Sequence, residues 1–568
     1  MAGTENGISP ISINLTDDTG LDGKIGTPRA WVCGWINEGS SEFQSLQQDG
    51  SFTTTPSTSV SVQANVGWQD SGVQVAAGQT VTVTYVSGDW TADPKTNDGN
   101  AYDANGCPGL IVPGSQTAFP MPGVTMGALV GKVGESGTAF LIGDGPQVMP
   151  SGDVGTLYLC INDDLTGAYG AGLADNSGSV TVQIDQGVNF YLVSSIDTVT
   201  LSTQTNGSNR LVFVVATAQP APLPVFVGNV MQYTAYPYAN PPGIAAPGPF
   251  DIFEFGYDAQ FDVSAVNGFG LNLSFTYDGI SYGADPSFGR KQIGAAFSTF
   301  IANEVTAGTP GASAFAELLY DAAISGSTSQ PLLVGQQFFA ICDPNDMLQA
   351  RMIQGNTGTD TLTTYWDQTL AAFFADGNYL SIDLGGRIYS GECTVPSGGQ
   401  LGTYSLTSTE TDLTYSFSQP VPGLASALYV FQQAFAGTPA PDEGLLQDTI
   451  WEALCRGVAQ NGVFSKAVSK GESTAQWNDA SAWYGAKSTC HLYAKFLHYG
   501  TLVGTDSRTD PNNNAPIMIG NAVYGFSMDE NPIGSYTGPN VPSKTLTNVP
   551  GGATVSLVIG PWDVPPPA

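Results

Sequence analysis

Six segments of the chain alternate apolar and polar residues with a period of two: SVSVQANV, TVTVTYV, GTLYLCIN, SVTVQI, NRLVFVV and TVSLVIG. Gly, Asn or Asp bounds them. Successive strand side chains point to opposite faces, so the pattern predicts half-buried β-strands joined by tight turns. Helical spacing appears only later. In 290–304 the residues Ile293, Ala296, Phe297, Phe300 and Ile301 form one apolar stripe. Trp366, Leu370 and Phe373 do the same in 365–375, and Leu446, Ile450 and Leu454 in 443–456, with a fourth candidate helix at 489–499. The expected fold is mainly β, all-β for the first 285 residues and mixed α/β beyond them.

The segments are poor in charge. Lys and Arg number 16 against 49 Asp and Glu, a formal net charge of −33, and only 11% of the 568 residues are charged, where ~25% is usual. Such a surface repels nucleic acid and anionic membrane, since both depend on cationic contacts, so a nucleic-acid partner is excluded. The longest apolar run, 211–216, is far short of the ~20 residues of a spanning helix, so no membrane span is expected. The N-terminus has neither a basic region nor an apolar one, so no signal peptide is visible. The length predicts two to four domains. Seven cysteines with no CxxC fit neither a zinc ribbon nor a fully paired framework. The two histidines, His491 and His498, share a helix face and are read as structural or groove-lining. Carboxylate or carbonyl chemistry on a β-rich scaffold is what survives.

One stretch, about 59–185, carries four ordered blocks: GWQDSGVQVAAGQTVTVTYVSGDW, MGALVGKVG, LYLCINDDLTGAYG and DNSGSVTVQI. In that order they resemble the PA-I galactophilic lectins, small calcium-dependent β-sandwiches. The resemblance implies a Ca2+ site built from the side chains of Asp163, Asp175 and Asn176, completed by the backbone carbonyls of Asp93 and Ala168. The residue types agree with that chemistry, because calcium takes six to eight hard oxygens from carboxylates, amides and carbonyls on loops. Capping of turns is the commoner use of isolated Asp and Asn. The family's sugar loop reads NAYDANGCPG here, which puts Tyr102 and Asn105 at its contact positions and leaves open a galactose-like sugar, another sugar or none.

The flanking sequence carries a second resemblance. ISINLTDDTG, AWVCGW and QQDGSF precede the insert, and IDTVTLSTQTNGSNRLVFVV follows it. FDIFEFGYDAQFDVSAVNGFGLNLSF, TYWDQTLAAFFADGNYLSIDL, ALYVFQQAFAG, IWEALCRGV, HLYAKFLHYG, NAVYGFSMDEN and TVSLVIGPW come next. These blocks resemble glycoside hydrolase family 64, the thaumatin-like β-1,3-glucanases. The resemblance implies one discontinuous body, 1–58 with 186–568, enclosing a β-sandwich insert at 59–185. Within the body, 1–58 and 186–285 are β-rich and of thaumatin-like sandwich or barrel type, and 286–568 is a mixed α/β part.

Glycosidic cleavage requires one carboxylic acid and one carboxylate. The resemblance gives Glu254 the general-acid position of an inverting enzyme, and gives Arg210 the place of the family's Ser-Gly-Arg. The family's base Asp is replaced by Asn267, which cannot take a proton from water. A hairpin turn near Gln260 and Phe261 would set Glu254 opposite Asn267, with Phe253, Phe255 and Tyr257 on one face and Ile252 and Glu254 on the other. Alternation then leaves neither Asp258 nor Asp262 as an evident substitute. Tyr233, Tyr236, Tyr238 and Tyr257, with Phe261, are candidate sugar-stacking rings, with ordinary core packing as the alternative. The expectation is a β-1,3-glucan-recognising protein without its base, extracellular or at a cell surface. An active inverting endo-β-1,3-glucanase is the alternative, and an adhesion or structural surface protein the second.

Overall fold

The computed structural model describes residues 9–21, 27–36, 43–150, 152–201, 209–234, 244–255, 261–286, 288–320, 340–345, 347–348, 361–384, 386–423, 441–459, 477, 482–485, 487–502, 523–524 and 549–562. The chain divides into two compact units. One comprises Cys33–Tyr191 with Gln219–Gln232, and the other Met1–Val32, Leu192–Ala218 and Tyr233–Ala568. The segment 59–185 expected as an insert falls inside the smaller unit, which also takes in 33–58, 186–191 and 219–232.

The smaller unit is built on two antiparallel sheets. One has the order Phe140–Leu141, Leu129–Val133, Gly155–Ile161, Gln69–Val75. The other has the order Gln147–Val148, Val81–Ser87, Ser177–Gln186, Ser57–Gln63, with Trp90–Thr91 also paired to Ser177–Gln186. Alternation does its expected work. Val180, Val182 and Ile184 from one sheet and Leu157, Leu159 and Leu129 from the other share a single core. Each such side chain contributes about 1.5–3 kcal/mol by leaving water. Trp90 is fully buried in that core, and its Nε1 donates to the Gly127 carbonyl at 2.8 Å. Gly127 has φ +77°, and a Cβ there would lie 2.5 Å from the Tyr102 ring, so backbone and packing both demand glycine.

In the larger unit a five-stranded sheet has the order Thr198–Leu201, Ile11–Asp17, Thr554–Ile559, Leu273–Tyr277, Ile280–Gly283. Its Ile11–Asp17 and Thr554–Ile559 strands pair in parallel, tying together segments more than 500 residues apart. A second sheet aligns Asn209–Ala216, Phe250–Phe255 and Phe261–Ser264 as antiparallel neighbours. A four-stranded meander covers Tyr379–Leu384, Arg387–Thr394, Thr403–Ser408 and Thr414–Ser418.

Helices follow only after these first strands, at Arg290–Ala307, Asp367–Phe373, Pro441–Cys455 and Leu492–Leu502. The stripe Ile293, Ala296, Phe297, Phe300 and Ile301 is buried, as are Leu446, Ile450 and Leu454. Lys495 and Glu304 form a buried ion pair at 2.5 Å between two of these helices. Among the described residues no helix is long and apolar enough to cross a membrane.

Candidate functional site

The Gly155–Ile161 strand ends in three polar residues, Asn162, Asp163 and Asp164, all nearly or fully buried. Each does something different. Asn162 accepts from Met121 N at 2.9 Å and donates to the carbonyls of Met121 at 3.1 Å and Thr125 at 3.0 Å, which fastens the 121–125 loop to the strand end. Asp164 accepts from the amides of Thr166 and Tyr169 and from the Thr166 hydroxyl, and so winds the 164–169 loop about itself. Burial opposes the charge on Asp164, but those donors prevail and hold its carboxyl below the ordinary value.

Between them, Asp163 is left incomplete. Its Oδ1 accepts from the Asp164 amide at 2.7 Å, while the buried Oδ2 has no hydrogen-bond partner. Burial raises the Asp163 carboxyl above its ordinary value, and the charges of Asp175 and Asp164 push the same way against the nearby Asn176 side chain and the Asp164 amide. The Asn176 side chain donates to the Ala64 carbonyl at 2.9 Å, but its buried Oδ1 also lacks a partner. Two orphaned buried oxygens on adjacent side chains are an uncommon expense.

A cleft of about 270 Å³ opens at this point, lined by Asp93, Asp163, Asp164 and Asp175, by Gln116 and Tyr169, and by an apolar group from Leu110 to Met126. Of the five residues expected at a calcium site, Asp163 and Asp175 therefore lie together, with the Asn176 side chain close to Asp163. Asp93 lines the cleft, although its carbonyl already accepts from Thr96 N and Thr96 Oγ1. Ala168 is exposed and is not part of the lining. Among the described residues no three His, Cys, Asp or Glu side chains converge closely enough to hold a metal by themselves. A site here rests on two carboxylates supplemented by amide and backbone oxygens, a donor set suited to a hard cation such as calcium and unsuited to zinc. The orphaned oxygens fit that group.

The expected sugar contacts stand elsewhere. Tyr102 is 5% exposed and packs in the sandwich core, where its hydroxyl accepts from the Ala92 amide at 2.5 Å and burial pushes its pKa up to about 12. Asn105 is exposed and accepts from the Asp144 amide, away from the cleft lining.

In the larger unit, Glu254 lies in the Phe250–Phe255 strand with Arg210 directly opposite on one side, Arg210 Nε being 2.5 Å from Glu254 Oε1. On the other side the register corrects the expected hairpin. Phe255 pairs with Phe261 and Glu254 with Asp262, so Asp262 shares the Glu254 face. Directly opposed strand residues have Cβ atoms about 4.5–5.5 Å apart. The connection is shorter than a turn centred on Gln260 and Phe261 requires, and Phe261 is already in the strand. Asn267 lies beyond that strand, half-buried in a turn closed by Gly268 N to the Ala265 carbonyl at 3.0 Å. Phe253, Phe255 and Phe261 pack together. Tyr233 is buried against Phe250, while Tyr236, Tyr238, Tyr257 and Asp258 lie outside the described residues.

His491 and His498 are both buried, the second hydrogen-bonded through Nδ1 to the Tyr484 hydroxyl at 2.8 Å. All seven cysteines are buried. Sequence reasoning missed the work of Asn162 and Asp164, whose only visible signal was an uninterrupted polar triplet at a strand end. No protein-family model matches the chain, and neither does any curated protein.

Proposed function

We propose that the chain is a glycan-binding protein, a calcium-dependent lectin-like unit joined to a β-1,3-glucan-recognising body that lacks its catalytic base. The observation that carries this reading is the pair of unpartnered buried oxygens, Asp163 Oδ2 and Asn176 Oδ1, at a cleft that also holds Asp175. An ionised oxygen buried without a partner costs several kcal/mol, and a hard divalent cation removes that cost. Asp163, Asp175 and Asn176 would hold the ion, with other oxygens of the cleft completing the set. Bound calcium supplies a positive centre able to take sugar hydroxyl oxygens as ligands. Glycan partners of this kind place the protein outside cells or at a cell surface.

In the body, the proton acceptor of the glucanase scheme is replaced by Asn267, and Glu254 is occupied by Arg210, a donor with no acceptor capacity. Both features favour binding over hydrolysis. One observation favours a second reading, in which Glu254 and Asp262 act as a carboxylate pair. Their direct opposition puts the two Cβ atoms about 4.5–5.5 Å apart, which is compatible with the ~5–5.5 Å carboxyl separation of retaining glycosidases. The test is co-sedimentation with insoluble β-1,3-glucan and binding to immobilised glycans, each with calcium and with chelator. Binding that ignores calcium removes the metal from the account, and absence of all glycan binding removes the reading.

A further inference from the structure

The cleft beside Asp163 has two unlike walls, and only one concerns a metal. Its charged lining residues are Asp93, Asp163, Asp164 and Asp175, with no Lys, Arg or His among the described residues that line it. No basic side chain there would receive a sulfate, phosphate or carboxylate, and four carboxylates outweigh the charge of one calcium ion, so the cleft disfavours an anionic ligand. The other wall is apolar. Leu110, Ile111, Val112, Pro113, Phe119 and Met126 contribute to it, and Gln116 is the one amide side chain. The Tyr169 hydroxyl already donates to the Ser115 carbonyl.

The lip of this apolar wall at Leu110 and Ile111 is exposed, above buried Val112 and Phe119, yet it is firmly built. Ile111 is 54% exposed and Tyr169 49%, and the Tyr169 and Phe119 rings stack with centroids 6.3 Å apart. Met126 N donates to the Leu110 carbonyl at 2.9 Å, Val112 N to that of Val124 at 3.0 Å, and Gly123 N to that of Val112 at 2.8 Å. Asn162 pins the far side of this small ladder. A wall held in this way cannot collapse to cover its own apolar surface, and it is preorganised for a ligand that does so.

We infer that the cleft takes one neutral sugar ring of the 6-deoxyhexose type, with hydroxyls toward the carboxylates and its methyl group toward Leu110 and Ile111. This rests on the calcium-dependent glycan-binding reading above. The volume of about 270 Å³ suits a single ring and is below the ~300–1,000 Å³ of drug-sized sites. A C6 hydroxyl turned to Leu110 and Ile111 meets only aliphatic side chains, whereas a methyl group needs no partner. Differences of one small group in an apolar site amount to roughly 10–200-fold, and the exposed lip places this case near the lower end.

The experiment is calorimetry on the full chain in calcium buffer with methyl glycosides in matched pairs that differ only in the C6 oxygen. Galactoside and 6-deoxygalactoside, mannoside and rhamnoside of one enantiomeric series, and glucoside and 6-deoxyglucoside make three pairs. In the pair whose ring stereochemistry fits, the 6-deoxy member should bind about tenfold more tightly. Ile111→Ser, at an exposed position, should erase most of that advantage and leave calcium binding unchanged. Equal or tighter binding of the 6-hydroxy member overturns the inference, as does calcium binding without binding of any pair. Absence of calcium binding would instead defeat the metal reading beneath it.

Discussion

Asn162 and Asp163 are sequence neighbours whose buried side chains are in opposite states: the Asn162 amide is bonded in both directions, whereas Asp163 Oδ2 has no partner. Consecutive residues at a strand end face different ways, and here one side chain fastens the apolar loop while the next supplies an unspent oxygen to the cleft. On the proposed reading, structure and recognition are divided between two adjacent positions.

Asn162→Ala should therefore destabilise the smaller unit without abolishing calcium binding. It removes three hydrogen bonds and leaves the Met121 amide unmet, while the Met121 and Thr125 carbonyls keep the amides of Val124 and Ala128, a loss on the order of 1–3 kcal/mol. Thermal unfolding and calcium titration on the same sample check this, and unchanged stability would show that the 121–125 loop is held by something else.

The Lys495–Glu304 pair makes a separate prediction for the larger unit. Glu304 also accepts from the Thr309 hydroxyl at 2.5 Å, so the charge is closely satisfied. Lys495→Met alone should cost about 3–5 kcal/mol by stranding a buried carboxylate. Adding Glu304→Leu should recover a substantial part, measured by denaturant unfolding. A single variant as stable as wild type contradicts the account.

Asp251 gives a pH dependence. Its carboxyl is held well above the ordinary 3.8 by burial, against the opposing amides of Leu271 and Gly270 and the charge of Arg290. The raised value means that folding favours the protonated form. That contribution is complete below pH 3.8 and is lost as pH rises through the folded-state value. Asp251→Asn keeps an oxygen for Gly270 N and Leu271 N, so it should match or exceed wild-type stability at neutral pH, with the gap closing as pH falls toward 3.8. A gap that widens in acid would reverse the assignment.

The strand pattern and the helical stripes were legible because burial on one face leaves a period in the sequence. Ile293, Phe297 and Phe300 are buried as their spacing requires. The Asp163 and Asp175 carboxylates were paired by the lectin resemblance, with their places around a Gly-rich loop in agreement. The hairpin at Glu254 could not be set this way, because alternation fixes faces but not register. Pairing with Asp262 instead of Asn267 depends on where the connection ends. Tyr102 misled for a related reason. The lectin resemblance put it at a sugar-contact position, but its backbone pairs with Trp90 and its ring fills the space over Gly127.

The register also bears on catalysis. Asn267→Asp puts a carboxylate into the turn after the strand, not opposite Glu254, so neither wild type nor this variant should release reducing sugar from laminarin. Release by wild type that disappears in Asp262→Asn would establish the Glu254–Asp262 reading in place of the binding reading.

The central claim is that Asp163 and its neighbours hold calcium. Titration of calcium into metal-free full-length protein by calorimetry tests it most directly, with circular dichroism to confirm that the variants are folded. Wild type should bind calcium at a site that Asp163→Ala removes, and the smaller unit's melting temperature should rise with excess calcium only in wild type. No calcium-binding heat in wild type, or equal binding by a folded Asp163→Ala protein, would contradict the account.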